Sequence, residues 1–158
     1  MTLERVAIVT GGGSGIGRCT AHELASLGAK VLITGRDVEK LKRTAAEIRR
    51  DGGTAAHYVF DIRDEELVRS TVAGMLADHG IIDGLVNNAG GQYPMPLESI
   101  GKKGWEAVLA TNLTGAFVCS QAAIKVMVRQ RYGRIVNISS VVGQTGNAGQ
   151  ANYAASKA

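Results

Sequence analysis

Cysteine, proline and aromatic residues are scarce in this sequence of 158 residues, which has two cysteines, two prolines and 4% aromatic residues. The cysteines, Cys19 and Cys119, lie far apart and form no Cys-x-x-Cys pair, so a disulfide framework is excluded and a reducing cytoplasm is expected. Each is predicted to be a small buried hydrophobe. So few aromatic side chains offer no row of stacking surfaces for single-stranded nucleic acid. The hydrophobic content of 45% excludes an intrinsically disordered or fibrous chain.

Long apolar runs and a strong charge excess are also missing. The uncharged stretches 107–124 and 135–156 contain Asn, Gln, Ser, Thr and Gly, whose polar groups would be unsatisfied in lipid, so no membrane span is expected. The apolar run at 6–9 is too short for a signal peptide. A cytoplasmic location follows; a peroxisomal one stays open, although no signal is visible. The net charge of +4 favours anionic ligands and is too small to predict nucleic-acid binding.

Short β-branched runs alternate with longer amphipathic stretches along the whole chain. Strands are predicted over 6–10, 30–34, 56–60, 84–87 and 134–139, and helices over 15–27, 37–50, 64–79, 102–131 and 151–158. This alternation predicts right-handed βαβ crossovers and a single α/β domain over residues 1–158, a doubly wound parallel sheet of the Rossmann type. Such folds usually carry six or more strands in the order 3-2-1-4-5-6. With five strands found, we expect the domain to lack its C-terminal strands, and we expect this chain to show little or no catalytic turnover.

Glycine is abundant, and the seven residues 11–17, which lead from the first strand into the first helix, contain five of the 21 glycines. A glycine-rich loop in that position brings backbone close to a pyrophosphate, which the helix N-terminus attracts. The alternative is a tight turn that binds no ligand. The loop residues predicted to contact the nucleotide are Gly11, Ser14, Gly15, Ile16 and Gly17.

The spacing of this loop, T-G-x-x-x-G-I-G, resembles that of the short-chain dehydrogenase/reductase family. Two further motifs agree. The pair Asp61-Ile62 follows the third strand, where the family holds the adenine, and N-N-A-G follows the fourth strand. The resemblance implies nucleotide contacts from Asp61, Ile62, Asn88, Ala89 and Gly90.

Arg36 follows the second strand, about where an acidic residue would bind the ribose 2′-hydroxyl of NAD. A guanidinium there pairs well with a 2′-phosphate, so the sequence predicts NADP(H) as the cofactor. The alternative is a solvated arginine at a turn. The three histidines have no partner at metal-binding spacing, so no metal site is expected.

The last helix carries Y-x-x-x-K, with Tyr153 and Lys157 on one face. An ammonium beside a phenol favours the phenolate and so lowers the pKa of the phenol towards neutral pH. In the family a serine thirteen residues earlier polarises the carbonyl, which implies Ser140, with Ser139 as the alternative. An asparagine in the preceding long helix completes the family's tetrad, which implies Asn112. The resemblance gives Tyr153 and Lys157 a second role at the nicotinamide ribose.

The segment 141–153 resembles the 3-oxoacyl-(acyl-carrier-protein) reductase branch of the family, whereas Gly91-Gln92 resembles peroxisomal trans-2-enoyl-CoA reductases. The implied activity is reduction of a small acyl thioester or ketone, with Tyr153 as proton donor and a 3-oxoacyl thioester favoured. Enoyl thioester reduction and a catalytically inactive nucleotide-binding fragment are the alternatives. A full-length parent is expected to be a homo-oligomer.

Overall fold

The computed structural model describes residues 5–158. Five parallel strands form one sheet in the order β3-β2-β1-β4-β5. The strands are β1 Val6–Thr10, β2 Lys30–Gly35, β3 Thr54–Val59, β4 Gly84–Asn87 and β5 Arg134–Asn137. The helices are α1 Gly15–Ser26, α2 Val38–Arg50, α3 Glu65–His79, α4 Lys102–Leu109, α5 Gly115–Gln130, α6 Val141–Thr145 and α7 Ala151–Lys157. The predicted Rossmann-type fold is confirmed.

Alternating side chains of the strands build an apolar core on each face of the sheet. Ile8 points to the face covered by α3 and α5, whereas Val9 points to the face covered by α1 and α2. Both faces are therefore buried, which explains the continuous apolar runs in the sequence. This packing brings the carboxyl ends of all five strands, and the loops that follow them, to one edge of the sheet.

Aspartates cap α2 and α3 at the positions where the sequence predicts these helices to begin. Asp37 accepts hydrogen bonds from the backbone N–H groups of Glu39 and Lys40, both at 3.1 Å, and Asp64 accepts one from Leu67 at 3.0 Å. These bonds fix where the two helices begin, and therefore where the loops that precede them turn towards the site.

Three differences from the predicted elements matter for the site. The long helix over 102–131 is divided by a π-helical turn, Ala110–Thr114, between α4 and α5. The fifth strand ends at Asn137 because Ser140 already caps α6, a helix that the sequence pattern did not predict. A 3-10 turn, Leu97–Ser99, interrupts the segment after β4.

The two cysteines have different surroundings. Cys119 lies in the core beneath the sheet, where burial raises the pKa of its thiol to about 12. The prediction that Cys19 is also buried is wrong, because α1 buries only a narrow face formed by Gly17, Ala21 and Ala25, and Cys19 is exposed.

One helical stretch, Lys102–Gln130, is long and apolar enough to cross a membrane by length and composition, with a mean hydropathy of 1.4. Core helices of soluble proteins meet the same criteria. In α5 the side chains of Val118, Ala122, Ala123 and Val126 pack into the core beneath the sheet, so the stretch is weak evidence for a membrane span.

Candidate active site

The glycine-rich loop brings the N-terminus of α1 to the carboxyl edge of the sheet with its N–H groups available. Ser14 occupies the N-cap position but makes no side-chain capping hydrogen bond, and no acidic residue lies in the first turn. Helices α2 and α3, in contrast, have both an aspartate cap and acidic first-turn residues. The start of α1 is therefore suited to an external anion.

Glycine is required at several positions of this loop, and Gly11 and Gly17 show the two reasons. Gly11 has a φ of +68°, which side-chain-bearing residues rarely adopt. A Cβ on Gly17 would lie 2.3 Å from the Gly11 carbonyl oxygen and 2.4 Å from Asn88 Nδ2, so α1 could not pack against the loop. Gly15 and Ile16 are exposed at the start of the helix. The loop is thus held open at the surface by close backbone packing beneath it.

An open cleft of about 550 Å³ extends from the loop along the carboxyl edge of the sheet. Its lining includes the predicted nucleotide contacts Gly11, Ser14, Arg36, Asp61, Ile62, Ala89 and Gly90. Lys40 and Thr111 also line it, and neither was among the predicted contacts. Lys40 lies in the first turn of α2, four residues after Arg36, a spacing that could have suggested a second cation in the cleft.

Arg36 and Asp61 face each other across this cleft. The Arg36 side chain is 73% exposed, and its Nη1 lies 3.9 Å from Asp61 Oδ2. Asp61 also accepts hydrogen bonds from Arg63, at 2.6 Å from Nη2 to Oδ2, and this pairing holds the pKa of the Asp61 carboxyl below its ordinary value. The carboxylate is thus kept charged and oriented, and Arg36 remains free to turn towards a ligand.

The N-N-A-G motif joins β4 to the end of β1. Thr10 Oγ1 accepts hydrogen bonds from the backbone N–H groups of Asn88 and Ala89, both at 3.0 Å. Asn88 Nδ2 donates to the Thr10 carbonyl at 2.9 Å. Asn88 therefore acts on the cleft by fixing its floor, whereas Ala89 and Gly90 form part of its wall.

Gly90 connects the nucleotide cleft to the predicted catalytic residues. A Cβ placed on Gly90 would lie 3.1 Å from Asn112 Oδ1 and 3.6 Å from Lys157 Nζ. The asparagine of the π-helical turn and the lysine of α7 thus meet at one point of the cleft wall. These two residues are far apart in sequence, and the fold brings them together.

The side-chain amide of Asn112 is buried and fully hydrogen-bonded. Its Oδ1 accepts from Gly91 N–H at 2.8 Å, and its Nδ2 donates to the Gly91 carbonyl at 2.8 Å and to Ser156 Oγ at 2.9 Å. The residue lies within the π-helical turn, a local distortion of the long helix. Asn112 therefore ties the loop after β4 to α7.

Tyr153 and Lys157 lie on one side of α7, with Lys157 Nζ 6.0 Å from the centroid of the Tyr153 ring. The ammonium donates to the Ile138 carbonyl at 2.6 Å, and burial lowers the pKa of Lys157 from its ordinary value. The lysine is thus anchored to the end of β5 while its charge remains beside the cleft.

The two adjacent serines have different tasks. Ser140 Oγ accepts a hydrogen bond from Val142 N–H at 3.2 Å, which leaves its own hydroxyl hydrogen free to donate to a substrate oxygen. Ser139 donates to the Lys157 carbonyl at 2.5 Å and so holds the end of α7. This arrangement supports the choice of Ser140 over Ser139 as the donor.

No group of three or more His, Cys, Asp or Glu side chains suited to a metal ion occurs among residues 5–158. Sequence reasoning assigned no supporting role to the residues that hold the site together, which are Thr10, Gly91, Ser139, Asn152 and Ser156. Their roles depend on tertiary hydrogen bonds, for which a linear pattern carries no signal.

Comparison with known proteins identifies the family of the chain. Residues 5–158 match the protein family described as short chain dehydrogenase. The chain belongs to this family. Among short chain dehydrogenases, the 3-oxoacyl-(acyl-carrier-protein) reductase of Aquifex aeolicus is 44% identical over 158 residues, covering 98% of this chain and 62% of the relative. The chain therefore spans less than two thirds of that relative's length.

Solved structures of short chain dehydrogenases superpose closely on this fold. A metagenomic short-chain oxidoreductase in complex with NADP has a TM-score of 0.93 and 40% identity, covering 97% of this chain and 70% of that one. An NAD⁺-bound xylitol dehydrogenase has a TM-score of 0.95 and 38% identity, covering 99% of this chain and 61% of that one. Structural similarity alone thus includes proteins with either nicotinamide cofactor.

Proposed function

We propose that this chain carries the cofactor site and the catalytic residues of an NADP(H)-dependent oxidoreductase that reduces the carbonyl of a 3-oxoacyl thioester. The observation that carries the proposal is the position of Gly90. It lines the nucleotide cleft and also stands between Asn112 and Lys157, so one wall serves both the nucleotide and the proton-transfer group.

The proposed catalytic roles follow from the hydrogen-bonding state of each side chain. Tyr153 donates a proton to the carbonyl oxygen of the substrate. Ser140 uses its free hydroxyl hydrogen to stabilise the developing negative charge on that oxygen. The nearby Lys157 ammonium favours loss of the phenol proton and, in this proposal, also contacts the nicotinamide ribose. Asn112 fixes the wall formed by Gly90 and Gly91. The cofactor supplies the hydride.

NADP(H) is proposed over NAD(H) because of the charges at the far end of the cleft. Arg36 and Lys40 both line the cleft there, and they are suited to a 2′-phosphate. Asp37 is occupied in capping α2, where its hydrogen bonds with Lys40 and Glu39 N–H lower the pKa of its carboxyl. Asp37 also lines the cleft, but its Oδ1 is engaged in the cap and its Oδ2 lies 3.4 Å from Lys40 Nζ, so the carboxylate is less available as a ribose ligand.

An acyl thioester is proposed as the substrate because of the resemblance in segment 141–153 and the printed name of the Aquifex relative. Enoyl thioester reduction is the second candidate and rests on Gly91-Gln92. We also propose a cytoplasmic location and, for a full-length parent, a homo-oligomer; the peroxisomal alternative has no support.

The direct test is NADPH oxidation with acetoacetyl and crotonyl thioesters offered in parallel. Consumption with the acetoacetyl thioester supports carbonyl reduction, and consumption with the crotonyl thioester alone supports enoyl reduction. NADPH binding without turnover on either thioester supports the nucleotide-binding alternative instead.

The catalytic assignment is tested by Tyr153→Phe, which removes one hydroxyl and almost no volume. In a full-length parent, we expect turnover to fall by about 10²- to 10⁴-fold while NADPH binding persists. Tyr132→Phe is the matched control, because Tyr132 packs against Arg5 and Arg134 at the opposite edge of the sheet. Near-normal turnover by Tyr153→Phe would contradict the mechanism.

A further inference from the structure

Helix α7 buries only polar side chains. Of its seven residues, the buried ones are Asn152, which is fully enclosed, and Ser156, which is 6% exposed. The other helices that pack on the sheet, such as α2 and α5, bury aliphatic side chains. Hydrogen bonds therefore hold α7 in place, whereas apolar packing holds α2 and α5 in place.

Ser156 connects α7 to the cleft wall. Its hydroxyl donates to the Tyr153 carbonyl at 2.8 Å and accepts from Asn112 Nδ2 at 2.9 Å. The same Asn112 amide makes both of its other bonds to Gly91. A continuous path of hydrogen bonds thus runs from the backbone of Tyr153 to the loop that follows β4.

Asn152 connects the other end of α7 to the same loop and to α4. Its Nδ2 lies 3.5 Å from the Tyr93 carbonyl and 3.4 Å from the Gly104 carbonyl, and its Oδ1 accepts from Tyr153 N–H at 2.8 Å. Beside it, Met95 N–H donates to the Gly149 carbonyl at 2.8 Å, which joins the loop after β4 to the segment entering α7.

The spacing of these residues matches that of the catalytic pair. Asn152 and Ser156 are four apart on one face of α7, and Tyr153 and Lys157 are four apart on the adjacent face. Hydrogen bonds are directional, so they fix the rotation of a helix about its axis more strictly than methyl groups do.

We propose that Asn152 and Ser156 are positioning residues that set the rotation of α7 and so aim Tyr153 and Lys157 at the cleft. The kinetic consequence rests on the proposed function, whereas the structural consequence does not. Ser156 acts through Asn112 on Gly91, and Asn152 acts through the loop on Met95.

Amide hydrogen exchange in the unliganded 158-residue chain tests the structural part. Ser156→Ala is expected to speed exchange of the Gly91 amide by about tenfold or more, because Asn112 Oδ1 is no longer held in place. Asn152→Asp keeps the acceptor for Tyr153 N–H but sets a carboxylate against two carbonyls, and it is expected to speed exchange at Met95. The Val9 amide in β1 should be unchanged, which separates local loosening from loss of the fold.

The matched control is Ser26→Ala. Ser26 in α1 donates to the Glu23 carbonyl at 2.8 Å, the same bond within one helix that Ser156 makes, but the exposed Ser26 hydroxyl accepts no tertiary hydrogen bond among residues 5–158. It should leave exchange at Gly91 and Met95 unchanged. Ser156→Thr retains the hydroxyl and should restore slow exchange at Gly91.

Steady-state kinetics test the catalytic part. In a full-length parent, we expect Ser156→Ala to lower kcat about tenfold with KM for the thioester changed less than twofold, and Ser156→Thr to recover most of kcat. Unchanged exchange at Gly91 and Met95 in the two variants overturns the inference. Faster exchange in the variants, together with a full-length parent that never reduces a thioester, supports the positioning role and overturns the proposed function.

Discussion

Arg36 shows how one side chain at the end of β2 sets the charge of the nucleotide cleft. Its guanidinium is largely exposed and its nearest acidic neighbour, Asp61, lies 3.9 Å away and is already hydrogen-bonded to Arg63. An exposed ion pair of this length contributes little to stability. The side chain is therefore free to exchange Asp61 for a phosphate at small cost.

This predicts a measurable cofactor preference. The chain should bind NADPH about tenfold or more tightly than NADH, which corresponds to about 1.4 kcal/mol. Arg36→Ala should abolish most of that preference by weakening NADPH binding alone, as measured by fluorescence titration of both cofactors. Arg50→Ala removes the same charge from the far end of α2 and should leave the preference unchanged. Equal affinities in the unmodified chain would refute the assignment.

Single residues could be picked out as site candidates where they stand at a fixed spacing in the sequence. The glycine loop, Arg36, and the Tyr153–Lys157 pair all have fixed spacings relative to strands or to one another. The partners that hold these groups, such as Ile138 for Lys157 and Gly91 for Asn112, come from other segments. Those partners depend on how the loops fold over the sheet edge, which local spacing does not encode.

At the scale of elements, α1 and α7 position the two ends of the site in different ways, α1 by close packing and α7 by hydrogen bonds. Helix α1 packs through Gly17, Ala21 and Ala25, so close approach of its backbone positions the phosphate loop. Helix α7 is positioned through the hydrogen bonds of Asn152 and Ser156. The hydrophobic pattern predicted the strands and main helices well because burial dominates there. It missed α6, which Ser140 caps, and the π-helical turn, which contains the buried Asn112.

Two glycine-to-alanine substitutions distinguish the effect of close packing on stability from the effect of helix propensity. Gly17→Ala is expected to lower the free energy of unfolding by about 1–3 kcal/mol, because the new Cβ would meet the Gly11 carbonyl oxygen and Asn88. NADPH binding should weaken with it, since the loop must shift.

Gly74 provides the matched control within α3. It is exposed in mid-helix, and a Cβ there meets no atom within 4 Å among the described residues. Gly74→Ala should therefore raise stability by about 0.5–1 kcal/mol. Urea unfolding midpoints at constant slope measure both changes. A Gly17→Ala chain as stable as the unmodified one would show that the loop is not closely packed.

At the scale of the whole molecule, the inner strands of the sheet are better covered than the edge strand β5. Strands β1 and β2 are almost wholly buried, whereas three of the four residues of β5 are exposed, including Val136. The strand order was predictable because parallel crossovers leave few topologies. What covers the surface beside β5 could not be predicted, because the hydrophobic pattern of a sequence shows that a side chain is apolar but not which surface packs against it.

The outer face of α5 and the preceding turn carries a stripe of large apolar side chains, which we call the α5 stripe. Its members Leu113, Phe117, Ile124 and Val128 are 49–69% exposed, and their spacing places them within one side of the helix. Apolar patches of this kind mark protein contacts, and a self-complementary helix face suits a twofold dimer.

We therefore expect the chain to self-associate through the α5 stripe. Sedimentation velocity across a range of protein concentrations should show a dimer or larger species, and replacing Phe117 and Val128 together by serine should shift the population towards monomer. At concentrations where the unmodified chain is itself monomeric, the unfolding midpoint should change little, since both side chains are more than half exposed in the single chain. Leu27→Ser is the matched control, because Leu27 is 75% exposed at the end of α1, away from the stripe, and its loss should leave association unchanged. A chain that stays monomeric at all concentrations contradicts the homo-oligomer proposal. Association that persists in the double serine variant places the contact on another surface, of which the exposed β5 edge is the first to test by a lysine at Val136.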